Sequence, residues 1–104
     1  MSKALQAAIN LISNPSRWTK DAVAQDCDGE TVDSVSRKAV RWSAWGAMEK
    51  KSVSGLMQRR VDAYCRLVFK EYGGLTWSND GPDGHARILK AMRAVQAGWK
   101  FKEE

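Results

Sequence analysis

Three groups of side chains in this sequence are of types that could carry chemistry, and their spacing decides whether they do. The first is Asp26-x-Asp28-x-Glu30, with Gly29 between the last two acids and Asp33 beyond them. Oxygen ligands at alternate positions are how a calcium loop begins, but a full loop runs about a dozen residues and closes on a bidentate acid. That closing pattern is absent, so Asp26, Asp28 and Glu30 read as an acidic turn whose Asp and Gly residues supply turn geometry. The second group is His85 behind Asn79, Asp80 and Asp83. Asp80 orienting His85 would make a general base. No nucleophile elbow or phosphate-cradling glycine loop accompanies the pair, and a histidine in a first helical turn is more often a surface or capping residue. The third group, Cys27 and Cys65 with this single histidine, has neither a Cys-x-x-Cys nor a Cys/His zinc spacing. Reduced thiols in a cytoplasm are the simpler expectation. The sequence therefore implies no catalytic set, no metal and no cofactor, and a non-enzymatic protein is expected.

Charge and tryptophan content point instead to partners. The net charge is +5, unevenly laid out. Asp21 to Asp33 holds five acids and no basic residue, whereas Ser34 to Gly74 holds nine basic residues against Glu49, Asp62 and Glu71. Arg59, Arg66 and Lys70 fall on similar sides of one helical stretch. Arg37, Lys38 and Arg41 open another, and Arg87, Lys90 and Arg93 line a third. Such faces could track phosphates, although a solvated helix face is commonly charged. No helix-turn-helix, zinc-finger or RNA-sheet signature is present, and the acidic segment would repel a phosphate backbone. Of the five tryptophans, Trp42 and Trp77 are expected in the core, with Trp45 or Trp99 at least partly exposed as contact residues. Trp45, Trp99, Arg59, Arg66 and Lys70 are the candidate partner-binding residues.

The elements that must position these groups are mostly helical. The 104 residues fit a single small domain, 1–104, able to bury one core. No apolar stretch is long enough to span a membrane. Ser2 caps a first helix that runs to about Ile12, with Leu5, Ala8, Ile9 and Ile12 at helical spacing, and Asn14-Pro15 stops it. Residues 17–33 favour a short hairpin around Asp26-Cys27-Asp28-Gly29, with a helical turn over Asp21 to Gln25 as competitor. A second helix is expected from Asp33 or Ser34 to about Lys50, on a stripe of Val40, Ala44, Ala47 and Met48. Gly46 within it suggests a close contact with a large neighbour. A third helix, capped by Ser52 or Ser54, runs to Tyr72 on Leu56, Met57, Val61, Tyr64, Cys65, Val68, Phe69 and Tyr72, and Gly73-Gly74 closes it. A loop covers 75–84, and Asp83 caps a fourth helix bearing Ile88, Leu89, Met92 and Val95, which ends near Gly98. The tail 99–104 is expected to fray. The fold class is thus mainly α: about four helices in a small bundle, with a short β-hairpin or irregular acidic turn between the first two.

Arg17-Trp18 through Ala22, Asp26 and Gly29, then Val40-Arg41-Trp42 through Gly46-Ala47, then Trp77-Ser78-Asn79-Asp80 form a set. In this order they resemble a family of small bacterial and phage proteins of unknown function. That family has a tryptophan-led segment, an Asp-x-x-Gly turn, a Val-Arg-Trp-Cys-x-x-Gly-Ala helix, a Trp-Asn-Asp loop and a final helix. Ser43 stands where the family pattern has cysteine, Ser78 is inserted in the Trp-Asn-Asp motif, and Asp83-Gly84 replaces Arg-Thr. The resemblance implies a shared fold built around Trp42, Trp77 and Asn79-Asp80 and brings no activity. Asn79 and Asp80 are expected to brace the loop by bonding backbone near the start of the last helix. The expected function is a small non-enzymatic interaction protein, encoded by a phage or mobile element, that docks on a macromolecular partner, a protein first of all. Nucleic-acid binding by the basic faces is the alternative.

Overall fold

The structure, a computed structural model, describes residues 2–101. It contains helices α1 (Lys3–Ser13), α2 (Ala44–Lys50), α3 (Gly55–Leu67), α4 (Gly74–Asp80) and α5 (Gly84–Gln96), with a 3-10 turn at Pro15–Arg17. Two short strands, β1 (Ala24–Gln25) and β2 (Arg41–Trp42), pair antiparallel between α1 and α2, with Ala24 opposite Trp42 and Gln25 opposite Arg41. No helix among the described residues is long and apolar enough to cross a membrane.

α1 forms where its stripe places it. Ser2 Oγ accepts from the Leu5 amide, and Leu5, Ala8, Ile9 and Ile12 are buried. The Gln96 side chain, at the end of α5, bonds both the amide and the carbonyl of Ser2, fastening the first helix to the last. Ile12, Met48, Val61, Cys65, Leu75, Ile88 and Met92 meet in the centre, so every helix contributes to one core. Trp42 joins them from β2, its indole nitrogen donating to the Ser34 carbonyl at 2.8 Å.

The acidic turn is present: Asp26 Oδ1 accepts from the amides of Asp28 and Glu30. The hairpin it closes is reduced to one bridge, Gln25 to Thr31, with backbone bonds from the Asp26 amide to the Glu30 carbonyl and from the Val32 amide to the Ala24 carbonyl. The two-residue pairing partner of 24–25 is instead Arg41–Trp42, a stretch the periodicity assigns to the second helix. That helix starts only at Ala44, with Ser43 as its N-cap accepting from the Gly46 amide. Residues 34–40 are turns, held by bonds such as Ser36 amide to Asp33 carbonyl and Lys38 amide to Ser36 Oγ. Serines that bond local backbone, with Val35 and Val40, favour this over a helix. Val40 is consequently exposed, and Arg37, Lys38 and Arg41 do not lie on a helix.

α3 ends at Leu67, five residues short of Tyr72. The chain reverses through Lys70, at φ 57°, and enters α4, a helix where a loop is expected. Gly73-Gly74 therefore opens α4 rather than closing α3. Asp62, on α3, supplies the missing cap: its Oδ1 accepts from the Leu75 amide at 2.8 Å, and Arg66 holds its other oxygen at 2.9 Å. Leu56, in the first turn of α3, is exposed, and the early reversal leaves Val68 and Tyr72 exposed too, although the apolar stripe would bury all three. It also places Trp77 on the surface of α4, correcting its expected core position. Phe69 is kept by α5, with the Arg87 guanidinium 4.7 Å and the Lys90 ammonium 5.9 Å from its ring centre, and Glu71 lies 3.7 Å from Arg87. Asp83 occupies the N-cap position of α5 at φ 55°, without a side-chain cap bond. Trp99 and Phe101 are half-buried, Trp99 edge-on to Tyr64 at 5.2 Å, so the start of the expected fraying tail is docked. Residues 102–104 of that tail lie outside the described residues.

The cysteines have contrasting surroundings. Cys27 is exposed, and Cys65 is fully buried in α3 with its thiol pushed up to about 11, chiefly by burial, against a smaller lowering by the Ser78 hydroxyl. Cys27 is expected to react readily with a thiol reagent in native buffer, whereas Cys65 reacts only as the fold opens. Because its folded value lies above the ordinary one of 9.0, the stability from protonated Cys65 is complete below pH 9 and lost as pH rises through 11. Rapid labelling of both thiols in native buffer would contradict this placement.

Candidate functional site

The three motif stretches meet at Asn79. This side chain sits on α4 and is 1% exposed. Its Oδ1 accepts from the Trp18 indole nitrogen at 2.9 Å and from the Ala44 amide at 3.0 Å. Its Nδ2 donates to the Thr19 carbonyl at 3.1 Å and to Asp80 Oδ1 at 2.9 Å. Both lone-pair positions and both hydrogens of the amide are thus used. One residue joins the tryptophan-led segment, the first turn of α2, and α4.

Asp80 extends the junction, its Oδ1 also accepting from the Asp21 amide at 2.8 Å. Asn79 and Asp80 therefore bond backbone of residues 19–21 and 44, not backbone at the start of α5. On the other side of the α2 cap, Val23 lies against the helix: its carbonyl accepts from the Ser43 amide at 3.1 Å. A Cβ on Gly46 would overlap that same carbonyl oxygen, so the close neighbour of Gly46 is backbone rather than a large side chain.

These contacts leave a cleft of about 390 Å³ lined by Asp21, Ala22, Val23, Ser43, Trp45, Thr76, Asn79 and Asp80. Trp45 is half-buried, and its indole nitrogen donates to Thr76 Oγ1 at 2.9 Å, which fixes the ring beside the cleft. Asp21 adopts φ 66°, uncommon for a residue other than glycine and held here by Asp80.

The acid–base pairing of Asp80 with His85 finds no support in these contacts. His85 donates from Nε2 to the Ile12 carbonyl at 2.6 Å, and its ring lies 5.2 Å from that of Trp18. Asp26 is turned to its own loop, so Asp26, Asp80 and His85 are not brought together. Among the described residues no group of three or more His, Cys, Asp or Glu side chains is placed to hold a metal ion.

The basic candidates lie elsewhere. Arg59 and Arg66 line a shallow groove on α3 with Asp62, Ala63, Leu67 and Phe101. Arg66 also lines an adjoining hollow with Lys70, Glu71 and Tyr72. The sequence reading missed four exposed apolar residues in this stretch of chain: Leu67, which lines the groove, Val68, Tyr72, which lines the hollow and is 91% exposed, and Trp77, 59% exposed. Helical periodicity assigns Val68 and Tyr72 to the core, and glycines 73 and 74, which open α4, do not mark the end of α3 at Leu67.

No protein-family profile, curated protein or solved structure matches the chain.

Proposed function

We propose that this chain is a small non-enzymatic interaction protein, akin to the bacterial and phage proteins whose motifs it resembles, that docks on a protein partner through its α3–α4 face. The observation that carries this reading is the exposure of Leu67, Val68, Tyr72 and Trp77 within eleven residues, beside Arg66 and Lys70. Isolated exposed apolar residues are ordinary, but aromatic rings grouped with arginine have the composition of binding hot spots. Trp45 and Trp99 are both half-buried: the Trp45 indole donates to Thr76 on α4, and the Trp99 ring packs edge-on against Tyr64 on α3. Nucleic acid is the second reading, favoured by the same rings, since exposed indole and phenol faces beside cations can stack bases.

The test is capture from a bacterial lysate with wild-type protein and a Tyr72→Ala/Trp77→Ala variant whose helicity is unchanged. A protein retained by wild type should bind the variant about thirty-fold more weakly, the loss typical of a hot-spot aromatic. An identical partner set and affinity would remove this face from the account. A gel shift with random single-stranded DNA that disappears as salt rises, with no protein captured, would establish the nucleic-acid reading instead.

A further inference from the structure

The cleft beside Asn79 has a chemistry that the α3–α4 face does not use. The geometry points to a binding site for an organic cation, an ammonium or guanidinium group on a short apolar stem, between the Asp21 and Asp80 carboxylates and the Trp45 indole.

Four observations carry this. Two aspartates and no basic residue line the cleft, in a chain whose net charge is +5. Neither Asp21 nor Asp80 is paired with a cation among the described residues, although Asp62 and Glu71 each have an arginine. Asp80 commits Oδ1 to the Asp21 amide and to Asn79, which fixes the carboxylate in place at the cleft. Trp45 adds an aromatic wall, held by Thr76, and Ala22 and Val23 add apolar surface for a stem.

The physical fit is specific to that ligand class. A cation near an indole is stabilised by the ring's quadrupole, more so where water is partly excluded. Carboxylates add charge-assisted hydrogen bonds that an uncharged ligand could not match. A bare metal ion is a poorer match, because it wants several convergent oxygens and the cleft offers two acids beside apolar side chains. The volume of about 390 Å³ suits a head group with a few methylenes. Such a group could arrive as a free amine or as a lysine or arginine side chain, and both present the same chemistry.

The experiment is a titration of the full chain, followed by ¹H–¹⁵N correlation spectra, with butylammonium chloride, ethylguanidinium chloride and, for comparison, sodium chloride at equal ionic strength. The Trp45 indole and Asp21 amide signals should shift saturably with the organic cations at millimolar concentration and not with sodium. Asp21→Asn and Asp80→Asn should each weaken binding about ten-fold, since each removes one charge from the pair. Both variants are expected to fold: asparagine tolerates the left-handed conformation at position 21, and at position 80 it keeps an oxygen for the Asp21 amide. A blocked Gly-Arg-Gly or Gly-Lys-Gly peptide that binds more tightly than the free cations identifies a side chain as the ligand; equal affinity identifies a free amine. Absence of saturable shifts, or unchanged affinity in both variants, overturns the proposal. It uses residues separate from Tyr72 and Trp77, so its failure and that of the docking face are distinguishable.

Discussion

Asn79→Ala is expected to destabilise the fold by about 4 kcal/mol, the loss associated with breaking a buried hydrogen-bond network and leaving its partners unpaired. The truncation strips the Trp18 indole, the Ala44 amide and the Thr19 carbonyl of their partner in one step. Each of these groups is costly to bury unsatisfied, and a cavity is left between three segments. Asn79→Asp should not rescue it. An aspartate keeps an acceptor for Trp18 and Ala44, but it loses both donors and puts a second carboxylate against Asp80. Urea denaturation followed by circular dichroism measures both variants. A loss below about 1 kcal/mol for Asn79→Ala, the scale of a single surface hydrogen bond, would mean that Asn79 does not hold the segments together.

Gly46→Ala is the second large effect, at about 3 kcal/mol, even though alanine is the better helix former by about 1 kcal/mol. The new methyl would overlap the Val23 carbonyl, which is backbone, and that carbonyl is itself fixed by the Ser43 amide. Relief requires either the segment before β1 or the first turn of α2 to move, and both border the cleft. Gly84→Ala should behave similarly, because its Cβ would overlap the Asn79 carbonyl. Gly55→Ala is the control: it opens α3, and its Cβ would meet only the flexible end of Arg59, at 3.7 Å. That change should be neutral or stabilising by about 0.5 kcal/mol, through reduced freedom of the unfolded chain. Thermal melts of the three variants order them, and a Gly46→Ala protein as stable as Gly55→Ala would contradict the close approach.

The helices with complete local signals were legible in the sequence. Ser2 with the Leu5–Ile12 stripe defines α1, and Ile88, Leu89, Met92 and Val95 define α5. What local pattern could not convey is where tertiary contacts outweigh periodicity. Val40, Ala44, Ala47 and Met48 are spaced like one helix face, yet Trp42 is drawn into a strand that pairs with Ala24 and bonds Ser34. α4 begins with two glycines and carries threonine, serine, asparagine and aspartate, a composition that reads as loop. Its helical state depends on Asp62 from another helix capping Leu75, and on the burial of Leu75, Ser78 and Asn79. Trp77 follows from the same error, since a tryptophan in a loop is expected to anchor inward, whereas on this helix it faces out.

The candidate site was legible in its parts and not in its assembly. Asn79 and Asp80 drew notice as residues that bond backbone, and Trp18, Trp42 and Gly46 as members of the same motif set. Nothing in their spacing indicates that the partners of Asn79 would be Trp18 and Ala44, 61 and 35 residues away. Asp21 carried no signal beyond its charge, because its placement depends on Asp80 and on a backbone conformation that sequence does not mark. The exposed aromatic face was invisible for a related reason, as it appears only once α3 stops at Leu67.

The joining of three distant segments through Asn79 is tested most directly by hydrogen exchange at the five indole nitrogens. The Trp18 indole hydrogen should exchange only through global unfolding, at a rate that follows the stability measured with urea, while the exposed Trp77 indole exchanges at the rate of a free side chain. A Trp18 indole that exchanges as fast as that of Trp77 would contradict the account.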